Sequence, residues 1–167
     1  HKKIGRWPYL FQHSLSKLKY YDKVFAVSEN TKKDILKYTD CPENKIQVIS
    51  HVVEDLFNNL KIDEFKICEK YNLPKAKKKI LISGSIFYKN ITTAFKVLEK
   101  LIKRDDDIVF VKIGGKPDLK DFSHLKNKIY ALPFIERNEL PNIYKICRLL
   151  LFPSTYEGFG RPLLEAM

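Results

Sequence analysis

Toward the end of the chain, Glu157-Gly158-Phe159-Gly160-Arg161-Pro162-Leu163-Leu164-Glu165 sets two carboxylates eight residues apart around a pair of glycines. A carboxylate accepts from two donors at once, which suits the vicinal hydroxyls of a polyhydroxylated ligand. Glycines leave backbone amides open to a hydroxyl or phosphate oxygen, and Pro162 fits the first position of a helix. A plainer reading stands beside this one: Glu157 complements the helix N-terminus, and Glu165 pairs with Arg161 at i, i+4. The second candidate is Gly84-Ser85-Ile86-Phe87-Tyr88-Lys89-Asn90, a loop that runs into a helix start. Free amides and the positive helix end favour an anion there, and Lys89 adds a point charge. The loop is neither a Walker loop nor G-x-G-x-x-G. Its plainer reading makes Gly84 a turn glycine, Asn90 a cap and Lys89 a solvated lysine.

These loops need strands to carry them, and the pattern supplies them almost from end to end. Short apolar runs at Lys23 to Val27, Lys45 to Ser50, Ile80 to Ser83, Ile108 to Ile113, Lys128 to Leu132 and Arg148 to Phe152 read as strands. Between them, helical spacing predicts a helix capped by Ser28, then helices over Asp63 to Tyr71, Asn90 to Lys103, Asp118 to Lys126 and Glu136 to Ile146, the last one liable to be split by Pro141. Strands alternating with helices imply right-handed crossovers and a mostly parallel sheet covered on both faces, a Rossmann-like doubly wound α/β fold. Ligands of such sheets bind outside the carboxyl ends of the strands. Of the four loops expected there, at Gly84 to Lys89, Gly114 to Pro117, Pro133 to Ile135 and Pro153 to Gly160, three carry glycine, although the chain has only six.

Composition narrows the classes further. The 167 residues are 44% hydrophobic, enough for a core, and no apolar run approaches the roughly 18 to 20 residues of a membrane-spanning helix. Cys41, Cys68 and Cys147 are too sparse for a disulfide framework or a C-x-x-C metal knuckle, so buried structural thiols in a reducing, cytoplasmic setting are expected. The net charge is +11, yet only five of the 31 basic residues are Arg, and the lysines are scattered. Specific readers of phosphate and bases lean on Arg forks, so a Lys-rich solvated exterior fits better than a nucleic-acid footprint. A basic nucleic-acid-binding module without catalysis stays open as the alternative, carried by the charge and by the opening Lys2-Lys3-Ile4-Gly5-Arg6-Trp7-Pro8-Tyr9. The same segment suits an anionic membrane surface, so peripheral membrane contact at the inner face is a further expectation.

Four stretches in order carry a resemblance. Phe152 to Met167 resembles the E-x7-E signature of the retaining glycosyltransferases of family 4, the glycosyl transferases group 1. Val27-Ser28-Glu29 with Thr31-Lys32-Lys33-Asp34 resembles the stretch that closes that family's first domain, Ile46 to Val53 the interdomain segment, and Glu139-Leu140-Pro141 with Tyr144 the helix before the signature. The resemblance implies the GT-B fold of two facing Rossmann-like domains. Residues 1–45 would be the end of the N-terminal, acceptor domain, and residues 46–167 the nucleotide-sugar-binding domain, cut short at its C-terminal end.

The activity implied is transfer of a hexose, with retention, from a UDP- or GDP-linked sugar to a cell-surface glycan, lipopolysaccharide or lipid-linked acceptor. By resemblance, Glu165 holds the ribose hydroxyls, and Glu157, with the amides of Phe159 and Gly160, contacts the donor sugar. Lys89 neutralises the diphosphate so that it leaves without a metal, and no cofactor is implied. Glu157 and Lys89 are the implied catalytic residues. Gly84, Ser85, Lys89, Asn90, Gly114, Phe134, Gly158, Phe159, Gly160, Arg161, Leu164 and Glu165 are the implied donor-binding residues, with Leu132 to Ile135 facing the nucleobase. Two positions depart from the pattern. Ser85 stands where a second diphosphate cation is usual, and Ser50-His51 where the interdomain segment usually has Asn-Gly. Since the acceptor half lies outside these residues, the chain by itself is expected to bind donor weakly and not to transfer sugar.

Overall fold

A computed structural model describes residues 14–53, 57, 63–85 and 87–167. The basic and aromatic opening, residues 1–10, lies outside the described residues, as does Ile86 of the first candidate loop. The chain divides into two units after Val52. That is later than the expected boundary after residue 45, because Ile46 to Val48 hydrogen-bonds with the strand before it and belongs to the first unit.

In the first unit β1 (Val24–Ala26) pairs in parallel with β2 (Ile46–Val48). The helix between them, α1 (Glu29–Tyr38), starts at Ser28, whose Oγ accepts from the Thr31 amide at 3.1 Å and satisfies one of the orphan donors of the first turn. Val24, Ala26, Cys41 and Ile46 form its small core.

The second unit is a four-stranded, all-parallel sheet in the order β5 (Ile129–Ala131), β4 (Ile108–Ile113), β3 (Lys78–Ser83), β6 (Leu149–Leu150). Side chains alternate across it, so each strand feeds two cores. On one face Ile80, Ile82 and Phe110 pack against Ala94, Phe95 and Leu98 of α3 (Ile91–Ile102). On the other, Leu81 and Val111 pack against Cys68 of α2 (Glu64–Lys70) and Ile143 and Ile146 of α4 (Leu140–Ile146). Each fully buried aliphatic side chain contributes roughly 1.5–3 kcal/mol, and both faces need a helical cover, which is the doubly wound α/β arrangement expected.

Three local expectations change. Pro141 does not split its helix but occupies the first turn of α4, where no amide hydrogen is required. The segment Lys120–Lys128 is 3-10 rather than α and is broken at Phe122, whose backbone leaves helical geometry and whose ring meets Phe95 edge-on at 5.4 Å. Strand β6 is shorter than Arg148 to Phe152, although Arg148 and Leu151 still donate to the Lys79 and Leu81 carbonyls of β3 at 2.9 and 2.8 Å. Of the cysteines, all three are free, Cys41 and Cys68 are buried, and burial pushes the half-buried Cys147 thiol up to about 12.

Candidate functional site

The loops after β3 and β4 meet at two glycines. Gly84 has φ +93°, and a Cβ there would lie 2.7 Å from Lys89 Cγ. Gly114 has φ +88°, and a Cβ there would lie 3.0 Å from the Gly84 Cα. Left-handed backbone and close approach both demand glycine here, so the two turns stack with the Lys89 side chain lying across them.

The β3 loop is also fastened to the loop after β6. The Thr155 amide donates to the Tyr88 carbonyl at 2.9 Å, and Asn90 Nδ2 donates to the Pro153 carbonyl at 3.1 Å. Asn90 is in left-handed backbone, φ 53°, and its Oδ1 accepts from Thr93 Oγ1 at 2.8 Å rather than capping an amide of α3. This fastening brings Lys89 to Glu157, Nζ to Oε1 at 2.7 Å, with the two side chains 14% and 21% exposed. Lys89 Nζ also lies over the Phe152 ring, 5.1 Å from its centroid. Neither plainer reading holds at this pair: Lys89 is not a solvated lysine, and Glu157 is committed to a cation rather than to the helix end.

The last helix, α5 (Arg161–Ala166), starts at the buried Gly160 with Pro162 in its first turn. It carries Glu165, whose side chain is 6% exposed. Arg137 Nη1 donates to Oε1 at 2.7 Å and the Tyr144 hydroxyl to Oε2 at 2.8 Å, while Arg161 Nη2 stands 3.6 Å from Oε1. The i, i+4 pair with Arg161 therefore exists but is secondary to Arg137. Arg137 itself lies on the Phe57 ring, 4.9 Å from the centroid, and Phe57 meets Tyr144 edge-on. Burial first, and then the bond to Glu165, raise the Tyr144 phenol well above its ordinary value.

A cavity of about 650 Å³ opens at the carboxyl ends of β3, β4 and β5, lined by Gly84, Ile113, Gly114, Leu132, Pro133 and Phe134 among others. Phe134 is 90% exposed at its edge, and Leu132 is buried in its wall. Ser85 and Asn90 line a different cavity, of about 370 Å³, at the start of α3. Apart from Ser85, Asn90 and the residues of the β6–α5 turn, the expected site residues fall into three groups. Gly84, Gly114 and Phe134 belong to the larger cavity, Lys89 and Glu157 pair beside Gly84, and Arg161 and Glu165 join Arg137 and Tyr144. Gly158, Phe159 and Leu164 are half-buried around the β6–α5 turn. Among the described residues, no three His, Cys, Asp or Glu side chains cluster to hold a metal ion, and no helix is long and apolar enough to cross a membrane.

Residues 63–167, well over half the chain, match the family described as Glycosyl transferases group 1. The chain belongs to this family. Among its relatives, the serotype-specific mannosyltransferase WbdA of Escherichia coli is 25% identical over 94% of this chain and 21% of its own length. A glycosyltransferase from Rickettsia africae superimposes with TM-score 0.68 and 29% identity, covering 90% of this chain and 45% of that one. Anabaena HepE, solved in complex with UDP and glucose, gives TM-score 0.72 at 18% identity over 95% of this chain and 47% of that one. The chain thus spans under half the length of these relatives.

In this group 1 chain, the motifs do not point to three side chains that the structure places at the site. Arg137 is one of only five arginines and sits in a loop after a strand, which was signal enough. Tyr144 belongs to one of the resembling stretches, but its bond to Glu165, 21 residues on, is not marked in the sequence. Lys112 interrupts the apolar run Ile108-Val109-Phe110-Val111-Lys112-Ile113, and it is buried to 1% exposure.

Proposed function

We propose that this chain carries the nucleotide-sugar site of a retaining hexosyltransferase of family 4, acting at the cytoplasmic face of a membrane on a cell-surface glycan, lipopolysaccharide or lipid-linked acceptor. The observation that carries the reading is the Lys89–Glu157 pair, held beside two stacked glycine turns at the carboxyl end of a parallel sheet. A diphosphate entering beside Gly84 competes with Glu157 for Lys89. Once displaced, Glu157 has both oxygens available for sugar hydroxyls, so the pair holds both groups in place until a donor exchanges them. Lys89 then stabilises charge developing on the leaving diphosphate, without a metal. Glu165 has both oxygens occupied by Arg137 and Tyr144, yet a carboxylate offers about four acceptor positions, which leaves room for two ribose hydroxyls. The 650 Å³ cavity takes the nucleobase against Leu132 and Phe134. Relatives named as mannosyltransferases and a similar fold solved with UDP and glucose support a hexose donor.

Titrating UDP, GDP and their hexose conjugates into the chain, followed by amide NMR, tests the reading. Shifts at Gly84, Lys89, Glu157 and Glu165 are expected from one of them, and a folded chain that shows none with any nucleotide at millimolar concentration would falsify it. Transfer is expected only from the complete protein, with retention at the anomeric carbon and in the presence of a chelator.

A further inference from the structure

We propose that the 370 Å³ cavity at the start of α3 is an oxyanion site, built around Lys112, that takes a phosphate group. Cavities of this size, within the roughly 300–1,000 Å³ of small-ligand sites, are common enough; its buried cation sets it apart. Lys112 alternates with Val111 along β4, so it faces α3, beyond Phe110, and it is 1% exposed. Its ammonium donates to the Gly115 carbonyl at 2.8 Å and the Gly114 carbonyl at 3.4 Å. Two carbonyls occupy two of its three donors and bring no negative charge. Among the described residues, no carboxylate pairs with it. Lys79 is the instructive contrast: equally buried, it has Glu64 Oε1 at 3.1 Å.

Acidic residues do reach the cavity, but not its cation. Asp118 and Asp121 are exposed at its rim, where Asp118 stands 3.9 Å from Lys120. Burial alone lowers the Lys112 pKa, with no carboxylate opposing it. A charged group desolvated in this way is stabilised most by a bound counter-charge with matching acceptors. The rest of the lining agrees with an oxyanion: the Ser85 hydroxyl, Thr92 in the first turn of a twelve-residue helix, and Lys116. Lys116 lines the 650 Å³ cavity too, so the two spaces adjoin. The phosphate therefore has two sources, the diphosphate of a nucleotide seated in the larger cavity or a separate phosphate-bearing ligand. Only the first rests on the donor reading above.

Inorganic phosphate is titrated into the chain with ¹³C-labelled lysine, observing Lys112 Cε and the Ser85, Thr92 and Gly115 amides. These signals are expected to move together, and Lys112→Met to weaken phosphate binding by about tenfold or more, the loss of one charge-assisted contact. Should Lys112→Met not fold, the Cε titration of the parent chain decides alone. UDP added to the phosphate-bound chain then separates the sources. Phosphate displaced with Lys112 Cε still shifted supports the site as part of a nucleotide site; phosphate retained at Lys112, whether UDP binds elsewhere or not at all, supports a separate one. Lys112 Cε unmoved by millimolar phosphate, or a folded Lys112→Met chain that binds phosphate as tightly as the parent, overturns the proposal.

Discussion

Glu165 and Lys112 are both charged side chains buried in the second unit, and the protein treats them in opposite ways. Glu165, on the β6–α5 side, is surrounded by donors: Arg137, Tyr144 and, more distantly, Arg161. Lys112, at the end of β4, is given two carbonyls and no counter-charge. Desolvating an ion costs several kcal/mol unless opposite charge and hydrogen bonds are returned to it. The carboxylate side is therefore a finished internal network to which a ligand must conform. The lysine side is short of negative charge, which a ligand would complete.

The largest expected effect lies at a third buried charge, Lys89, which like Glu165 already has its counter-charge, in Glu157. On the proposed donor reading, Lys89→Met in the complete protein should lower kcat for transfer by about 100-fold or more, the size expected for losing one preorganised cation at a leaving group, and steady-state kinetics will read it. Normal turnover in that variant would break the link between the preformed pair and chemistry. Next, Glu165→Ala should destabilise the chain by about 2–3 kcal/mol in urea unfolding, since it removes the shared acceptor of Arg137 and Tyr144; partial exposure of Arg137 keeps the figure below that of a fully buried pair. Tyr144→Phe removes one hydroxyl donor and should cost ~1–2 kcal/mol by the same measurement.

The smallest effect has the opposite sign. Lys112→Met should raise stability by ~1 kcal/mol at neutral pH, since an apolar side chain of similar length replaces a desolvated charge. The sign of the pH dependence follows from the lowered pKa. Across the range between the folded value and the unfolded 10.5, the unfolded chain binds more protons than the folded one. Stability of the parent therefore rises with pH through that alkaline range, and the rise should be missing in Lys112→Met. Equal slopes in the two proteins would remove the distinction between the two buried charges.

Much of this was legible from residue order. The alternation of apolar runs and helical spacing gave a parallel, two-faced α/β sheet, because period and burial are local properties of the sequence. Ser28 as a cap and Gly84 as a turn glycine were equally readable. The partner of Glu157 was not, since Lys89 lies 68 residues away and only the crossing of two loops brings them together. The same holds for Arg137 with Glu165. Phe122 shows a different limit: the helical pattern over Asp118 to Lys126 does not reveal the kink at Phe122, whose ring packs on Phe95, 27 residues away in sequence. Lys112 was visible as a charge inside an apolar strand, but its lack of a carboxylate is a property of the assembled core.

The bonds from Thr155 to Tyr88 and from Asn90 to Pro153 bear on how this protein can be redesigned. They make the segments around Lys89 and Glu157 one inheritable block, although the sequence places them far apart. A chimaera that imports residues 84–90 from a relative while keeping native residues 153–160 severs the block, and misplaces the carboxylate as surely as mutating it would. Transplanting both segments together is the graft that preserves their register, and donor preference is expected to travel with the pair rather than with either loop.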